Sequence, residues 1–552
     1  MKTAVDYFPE PAGQSCWQYL KECYASISSD VGEYGAFVNF DCETSMPTLF
    51  ADVEKLAAFL AEKGFKPGDA AAIFLPTSAN AVTAFYALSK LGCIAEFVHP
   101  LTPPAALAEM LGKTGAKAVF MLDRASGAYA DIVADYFTVI CSLSDYTSGK
   151  VREALSADEA VSCNVPEAPD TYRFYDIIRG EYAPVPDAGR SSRETAVYMH
   201  GSGTTGKSKT VMLSAFALNQ VAYKQCFVDE YHDYGKSYSL CVLPCFHAFG
   251  LGASIHYCIC NAYTPVIMPK FDAEKANDII SRYNVQYISG APSMFMKMYN
   301  APNFVNGGLK NLTVLYSGGD IVSEAFVERF NETLKQNGSR GKLFRGWGLT
   351  EMCAVCATNS HKAYRAESIG PIAHGLKVVV LDDDRNPLPA NEPGEIALSG
   401  ETMMNGYLPD GDVEESGIYT DKNGVDWICT GDMGYVDEDG FIFFTGRKKR
   451  IIIISGYNIY PYSIEQTVSA LPYIHEVCAV QGYDENAKSV VKLCVSLKDR
   501  EPSEKLKEEI FAYCKEHLNS FSVPRKIEFR EALPRTKMDK LDFLKMSDEV
   551  PK

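Results

Sequence analysis

Residues Gly201-Ser202-Gly203-Thr204-Thr205-Gly206-Lys207-Ser208-Lys209 run straight into Thr210-Val211-Met212-Leu213. Three glycines let the backbone come close to an anion. Ser202, Thr204 and Thr205 add hydroxyl donors, and Lys207 and Lys209 add charge. This composition suits a polyphosphate. The segment also fits G-x-x-x-x-G-K-[ST], the pattern of P-loop nucleotide hydrolases, where the glycine loop opens a helix directly. Here the next four residues read as extended, and whole strand–helix units precede the loop. The P-loop fold is therefore disfavoured.

Upstream, residues 47–63 carry Leu49, Val53, Leu56 and Leu60 on one helical face, with Gly64 at the cap position. Strands at 70–75, 94–98 and 117–122 alternate with helices at 79–90 and 104–112. Downstream, 195–370 repeats the texture, with strands at 238–243, 264–268, 285–289 and 314–317. Such alternation predicts mostly parallel sheets with helices on both faces. From about Leu376 the pattern changes to short strands (395–399, 434–436, 441–445) with Gly and Asp turns, a small β unit. After the basic run Arg447-Lys448-Lys449-Arg450, a candidate hinge, comes a compact tail. It reads as a buried strand at 451–454, a helix at 463–471, strands at 477–481 and 490–496, a helix at 503–518 and a strand at 526–529.

The chain has 552 residues, 47% hydrophobic and 22% charged, enough to bury large cores. Its 53 basic and 70 acidic residues give a net charge of −17. With no long basic block, bulk nucleic-acid affinity is not expected. No apolar run reaches the roughly 18–20 residues of a membrane span, and Met1-Lys2-Thr3-Ala4-Val5-Asp6 does not resemble a secretion signal. The 17 scattered cysteines suggest free thiols and a cytoplasmic location.

Further motifs follow the glycine loop in order: Leu243-Pro-Cys-Phe-His-Ala-Phe-Gly250, Ser317-Gly-Gly319, Trp347-Gly-Leu-Thr-Glu351, Thr430-Gly-Asp432, Gly446-Arg447, Ser455-Gly456, Ile464-Glu465 and Pro534-Arg-Thr-Lys-Met-Asp-Lys540. Together they resemble the adenylate-forming superfamily, which comprises acyl-CoA synthetases, luciferases and peptide-synthetase adenylation domains. The likeness runs from about Pro47 to Phe543. It is nearest the acyl-CoA synthetase branch.

The resemblance implies an α/β protein. A large N-terminal adenylation core, residues 1–446, would hold two doubly wound α/β subdomains (1–190 and 191–375) and a small β-barrel-like one (376–446). A hinge at 447–450 would lead to a small mobile α+β domain, 451–552. The implied reaction activates a carboxylic acid, fatty or aryl, with ATP and Mg²⁺ to an acyl-adenylate, then passes the acyl group to coenzyme A. A carrier protein's phosphopantetheine is the alternative acceptor, and a non-catalytic ATP-binding relative the second alternative.

The resemblance also assigns roles. Ser202, Gly203, Thr204, Thr205, Gly206 and Lys209 would hold the β- and γ-phosphates. Thr350 would donate to the α-phosphate, and Glu351 would hold the metal, Mg²⁺ being a hard ion that prefers oxygen. Trp347 would stack on adenine, with Gly319 giving it room. Asp432 and Arg447 would bind the ribose. Lys540 would bridge the carboxylate and the α-phosphate, a task suited to a compact charge on a long stem. His247 would gate the acyl entrance; amino-acid adenylation domains carry Asp at that point, so an amino acid is disfavoured. Lys449 would be the pivot, and Gly456 would leave a passage for pantetheine.

Some residues depart from the family pattern: Gly201 for Thr, Ser208 for Pro, Thr210 for Gly, and Asp539 for the Gly before Lys540. Cys353-Ala-Val-Cys356 has metal or redox spacing but no second pair to complete a zinc site, and it is expected to line the pocket wall. Cys258-Ile-Cys260 alternates as a strand would.

Overall fold

The computed structural model describes residues 7–162, 165–166, 168–201, 209–229, 231–320, 322–409, 417–454, 457–484, 488–536 and 541–548. Two large sheets face each other in the N-terminal region. The first has seven strands in the order Thr171–Arg173, Phe137–Cys141, Ala116–Leu122, Ala70–Phe74, Ile94–Phe97, Thr195–Gly201 and Lys209–Ser214. All neighbours are parallel except the last pair. The second has eight: Ala354–Thr358, Lys342–Leu349, Val314–Ser317, Tyr287–Gly290, Ser237–Cys241, Tyr263–Ile267, Gly35–Asn39 and Cys42–Ser45. Its two end pairs are antiparallel and the rest parallel.

The helices between the sheets are capped by serines. Ser45 accepts from the Thr48 N–H and starts Met46–Glu62, with Pro47 in the first turn, where its missing N–H costs nothing. Ser78 caps Ala79–Lys90, every residue of which is buried. Ser214 caps Ala215–Gln225. One continuous apolar core joins both sheets through these helices and reaches into the antiparallel sheet.

That third sheet has Lys377–Leu381, Gly394–Ser399 and Asp426–Val436 in order, and Ile418–Thr420 and Ile442–Arg447 both pair with Asp426–Val436. The C-terminal tail builds its own core. Helices Pro461–Ser469 and Glu504–His517 pack on the three-stranded sheet Ile474–Tyr483, Ser489–Leu497 and Lys526–Phe529, and the cluster runs from Ile452 to Phe529.

Three readings are corrected. The boundary at 190/191 does not divide the sheets: the hairpin from Thr195 to Ser214 completes the first sheet, while Gly35–Asn39 and Cys42–Ser45 edge the second. Side-chain patterns reveal a strand but not which sheet it joins. Residues 451–454 are not uniformly buried; Ile453 is 59% exposed, because Ile452–Ile454 belongs to a two-stranded ribbon with one open face. Cys258 and Cys260 lie in a helical turn, Tyr257–Cys260, that follows the π-helical turn Gly250–His256. Every side of it is buried, so no polar face betrays its period.

Candidate active site

The glycine loop joins two antiparallel strands at the edge of the seven-stranded sheet, with His200 opposite Thr210 and Gly201 opposite Lys209. Thr210-Val211-Met212-Leu213 is indeed extended, so the P-loop reading fails. Ser202, Gly203, Thr204, Thr205 and Gly206 lie outside the described residues. At the root of the loop, sequence reasoning missed a polar chain. Glu96 is fully buried; its carboxylate lies 3.0 Å from His200 Nε2 and accepts from the Thr114 hydroxyl at 2.7 Å. Thr210 Oγ1 is 3.1 Å from His200 Nδ1. A buried carboxylate must be paired, and both His200 and Thr114 reach this one. The pairing ties both ends of the loop to the sheet.

The eight-stranded sheet presents the other wall. Val314–Ser317 ends in Gly318 and Gly319. Gly319 has φ +84 and open space where a Cβ would stand. The Ser317 hydroxyl is buried without a partner among the described residues. A buried donor left unmatched at a strand end is a place for a ligand oxygen or nitrogen.

Lys342–Leu349 turns sharply at Thr350–Met352, a single 3₁₀ turn, into Ala354–Thr358. The return is so tight that a Cβ on Gly348 would collide with the Ala354 carbonyl. Cys353 and Ala354 take positive φ values of 57° and 124°. This strained turn carries Thr350 and Glu351. Glu351 Oε1 accepts from the Tyr407 hydroxyl at 2.8 Å, and its carbonyl accepts from the Met404 N–H at 2.8 Å. The segment after His247, Gly250–His256, packs against Ala354–Thr358. His247 neighbours Phe246, whose ring centroid is 4.6 Å from that of His99. Cys353 and Cys356 are buried free thiols, and burial raises both pKa values.

Asp432 gathers Trp347, Arg447 and Thr430. Its carboxylate accepts from the Trp347 indole N–H at 2.8 Å and pairs with Arg447 at 2.7 Å, while its own N–H donates to Thr430 Oγ1 at 3.1 Å. The Arg447 contact follows from register, since the two residues face each other across adjacent strands. The indole N–H is thus committed to Asp432.

The basic run forms a 3₁₀ turn, Lys448–Arg450. Lys448 pairs with Asp383 and Glu395 of the antiparallel sheet at 3.2 and 3.0 Å. Arg450 pairs with Glu465 of the C-terminal unit. Lys449 stands between the two anchors. Gly456, Asp539 and Lys540 lie outside the described residues. On the described flanks of 537–540, Arg535 bridges to Leu541, the Asp542 N–H donates to the Pro534 carbonyl at 2.8 Å, and Phe543 lies 5.4 Å from the Arg450 guanidinium.

No group of three or more His, Cys, Asp or Glu among the described residues could hold a metal. No helix among the described residues is long and apolar enough to cross a membrane.

The geometry is that of a nucleotide-dependent adenylating enzyme, and comparison with known proteins agrees. Residues 30–408 match the AMP-binding enzyme family, and 463–540 match its C-terminal domain. The chain belongs to the AMP-binding enzyme family. A long-chain-fatty-acid–CoA ligase of Escherichia coli O6:H1 is 26% identical over 97% of this chain and 95% of that protein. One from Bacillus subtilis is 28% identical over 89% and 88%. The solved o-succinylbenzoate CoA synthetase of Bacillus subtilis, in complex with its acyl-adenylate intermediate, is 22% identical and superposes with TM-score 0.76 over 98% of this chain and 99% of that one.

Proposed function

We propose that this protein is an AMP-forming acid–thiol ligase: it converts a carboxylic acid and ATP to an acyl-adenylate and pyrophosphate, then passes the acyl group to coenzyme A, releasing AMP. The observation that carries this reading is the convergence of Lys209, Glu351, Trp347, Asp432 and Arg447, spread over 239 residues of sequence, on the rim shared by the two sheets and the antiparallel sheet. The long-chain-fatty-acid–CoA ligases it resembles over nearly their whole length support it.

In this reading Asp432 accepts the ribose hydroxyls and Arg447 donates to the same sugar. Ser317 and Gly319 receive the adenine edge, with Trp347 beside it. The 202–206 loop and Lys209 hold the β- and γ-phosphates, and Thr350 donates to the α-phosphate. Glu351 would hold Mg²⁺, which when bound neutralises phosphate charge. The attacking carboxylate and the phosphate are both anions, so a cation between them lowers the barrier; Lys540 supplies it. Lys540 then occupies the space that a thiol must approach. The unit after Lys449, residues 451–552, therefore turns about that residue between the half-reactions and brings Gly456 toward the site. His247 and Phe246 border the acyl entrance, and the acid is fatty or aryl.

The test is incubation with ATP, Mg²⁺ and a panel of acids, with and without coenzyme A. Acyl-CoA, AMP and pyrophosphate are expected. Acid-dependent pyrophosphate exchange without thioester would move the acceptor to a carrier protein, and ATP binding without turnover on any acid would overturn the reading. Lys540→Ala should abolish adenylate formation yet spare thioester formation from a supplied acyl-adenylate. Equal loss of both half-reactions would contradict the role given to Lys540.

A further inference from the structure

Tyr407 lies in no motif singled out above, yet it touches two of them. The segment around it runs antiparallel along Lys209–Ser214, the strand that leaves the glycine loop. The Met212 N–H donates to the Gly406 carbonyl at 3.0 Å, the Asn405 N–H to the Met212 carbonyl at 2.8 Å, and the Leu408 N–H to the Thr210 carbonyl at 2.8 Å. One residue earlier, the Met404 N–H bonds the Glu351 carbonyl. The Lys209 ammonium sits 4.6 Å from the centroid of the Tyr407 ring. The Tyr407 hydroxyl donates to Glu351 Oε1 at 2.8 Å. Gly417 backs the ring, and a Cβ there would collide with it. The ring is therefore fixed by a backbone bridge and a glycine, with a cation near the ring and an anion at its tip.

Tyr407 stands between Lys209 and Glu351, and a lysine and a glutamate brought into contact form an ion pair. Such a pair would occupy the cation meant for phosphate and the carboxylate meant for the metal. A phenol avoids this, because its ring attracts an ammonium without neutralising it and its hydroxyl orients a carboxylate without cancelling its charge. We propose that Tyr407 is a positioning residue that keeps Lys209 and Glu351 apart and aims one at the triphosphate and the other at Mg²⁺. The inference rests on the roles given to those two residues under the proposed function.

Two substitutions separate the two contacts. Tyr407→Phe keeps the ring and removes the hydroxyl; Tyr407→Ala removes both. ATP binding to the full chain is measured by calorimetry in EDTA, Mn²⁺ binding to the ATP complex by electron paramagnetic resonance, and the melting temperature alongside. Tyr407→Phe should leave ATP affinity in EDTA within about twofold but weaken Mn²⁺ by about tenfold, the scale of a hydrogen bond to a charged group. Tyr407→Ala should also weaken ATP in EDTA, by roughly fivefold. In a Glu351→Gln background Tyr407→Phe should add little, because the two changes remove one interaction. If Tyr407→Phe lowers the melting temperature and both affinities together, the residue is only structural and the proposal fails. If Glu351→Gln weakens Mn²⁺ and Tyr407→Phe does not, the proposal fails while the functional reading stands. If Glu351→Gln leaves Mn²⁺ unaltered, the assignment of Glu351 to the metal fails instead.

Discussion

Lys448 and Arg450 flank Lys449, and they are held in opposite ways. The Lys448 side chain is 41% exposed and reaches two carboxylates, one of which, Asp383, is almost wholly in solvent. The Arg450 side chain is 19% exposed and its partner Glu465 is buried. Burial alone would lower the Arg450 pKa, but the charge and hydrogen bond of Glu465, together with Cys478 and Asp320, hold it above the ordinary value. Arg450 also donates to the Ala479 carbonyl, and Glu465 accepts the Ala479 N–H at 2.9 Å. Exposed pairs contribute about 0–1 kcal/mol, whereas breaking a buried one costs about 3–5 kcal/mol. The joint is therefore asymmetric: built into the C-terminal unit and lightly tethered to the large one. Such an asymmetric joint suits the pivot proposed at Lys449.

The largest break should come from Arg450→Ala, which leaves Glu465 buried and unpaired. The C-terminal unit should lose about 3 kcal/mol, read as a separate early transition in urea. A single unshifted transition would remove the asymmetry. Next, Lys449→Pro should slow thioester formation by at least about tenfold and leave acid-dependent pyrophosphate exchange unchanged; unaltered overall turnover would argue against a pivot there.

Acid should act more gently, and on the C-terminal unit. Its Glu528 is held below the usual carboxylate range by hydrogen bonds from Arg530 and Lys492, against a desolvation cost. Burial opposes ionisation of Asp548, but bonds from Lys492 and Lys526 hold it low as well. Carboxyls with lowered folded pKa values contribute stability above about pH 4, which is lost as pH falls through the folded values. The midpoint of the C-terminal transition should thus fall below about pH 4, and Lys492→Met should flatten that dependence. A midpoint that rises on acidification would contradict the network. The smallest effect is expected from Lys448→Ala, under about 1 kcal/mol on either transition. A larger loss would mean that the tether is not loose.

Local signals carried the elements well. Thr210-Val211-Met212-Leu213 is β-prone and has no helical face, so its extension could be read directly. Helix 79–90 was legible because its run is long and bounded. Partnership was not legible. Trp347 and Asp432 stand 85 residues apart, and nothing local tells an indole that its N–H will find a carboxylate. Tyr407 sits in Asn405-Gly406-Tyr407, which reads as a turn; only its lining up beside Lys209–Ser214 gives it work. The one usable sign was an aromatic residue in a polar, glycine-bearing loop. Glu96 escaped notice because an acid within an apolar strand is meaningful only once its histidine is known to lie beneath a glycine loop.

The eight-stranded sheet reaches across the chain: it takes its edge hairpin, Gly35–Asn39 and Cys42–Ser45, from ahead of the seven-stranded sheet, whose strands form one continuous run from Ala70 to Ser214. A gene cut between the codons for residues 190 and 191 should therefore not yield two self-sufficient fragments: the first would lack the inner partner of Ile94–Phe97, and the second the strand beside Tyr263–Ile267. Cosynthesis of the halves should restore a folded product where separate expression gives aggregates, so this lacing makes the large unit a natural scaffold for fragment complementation.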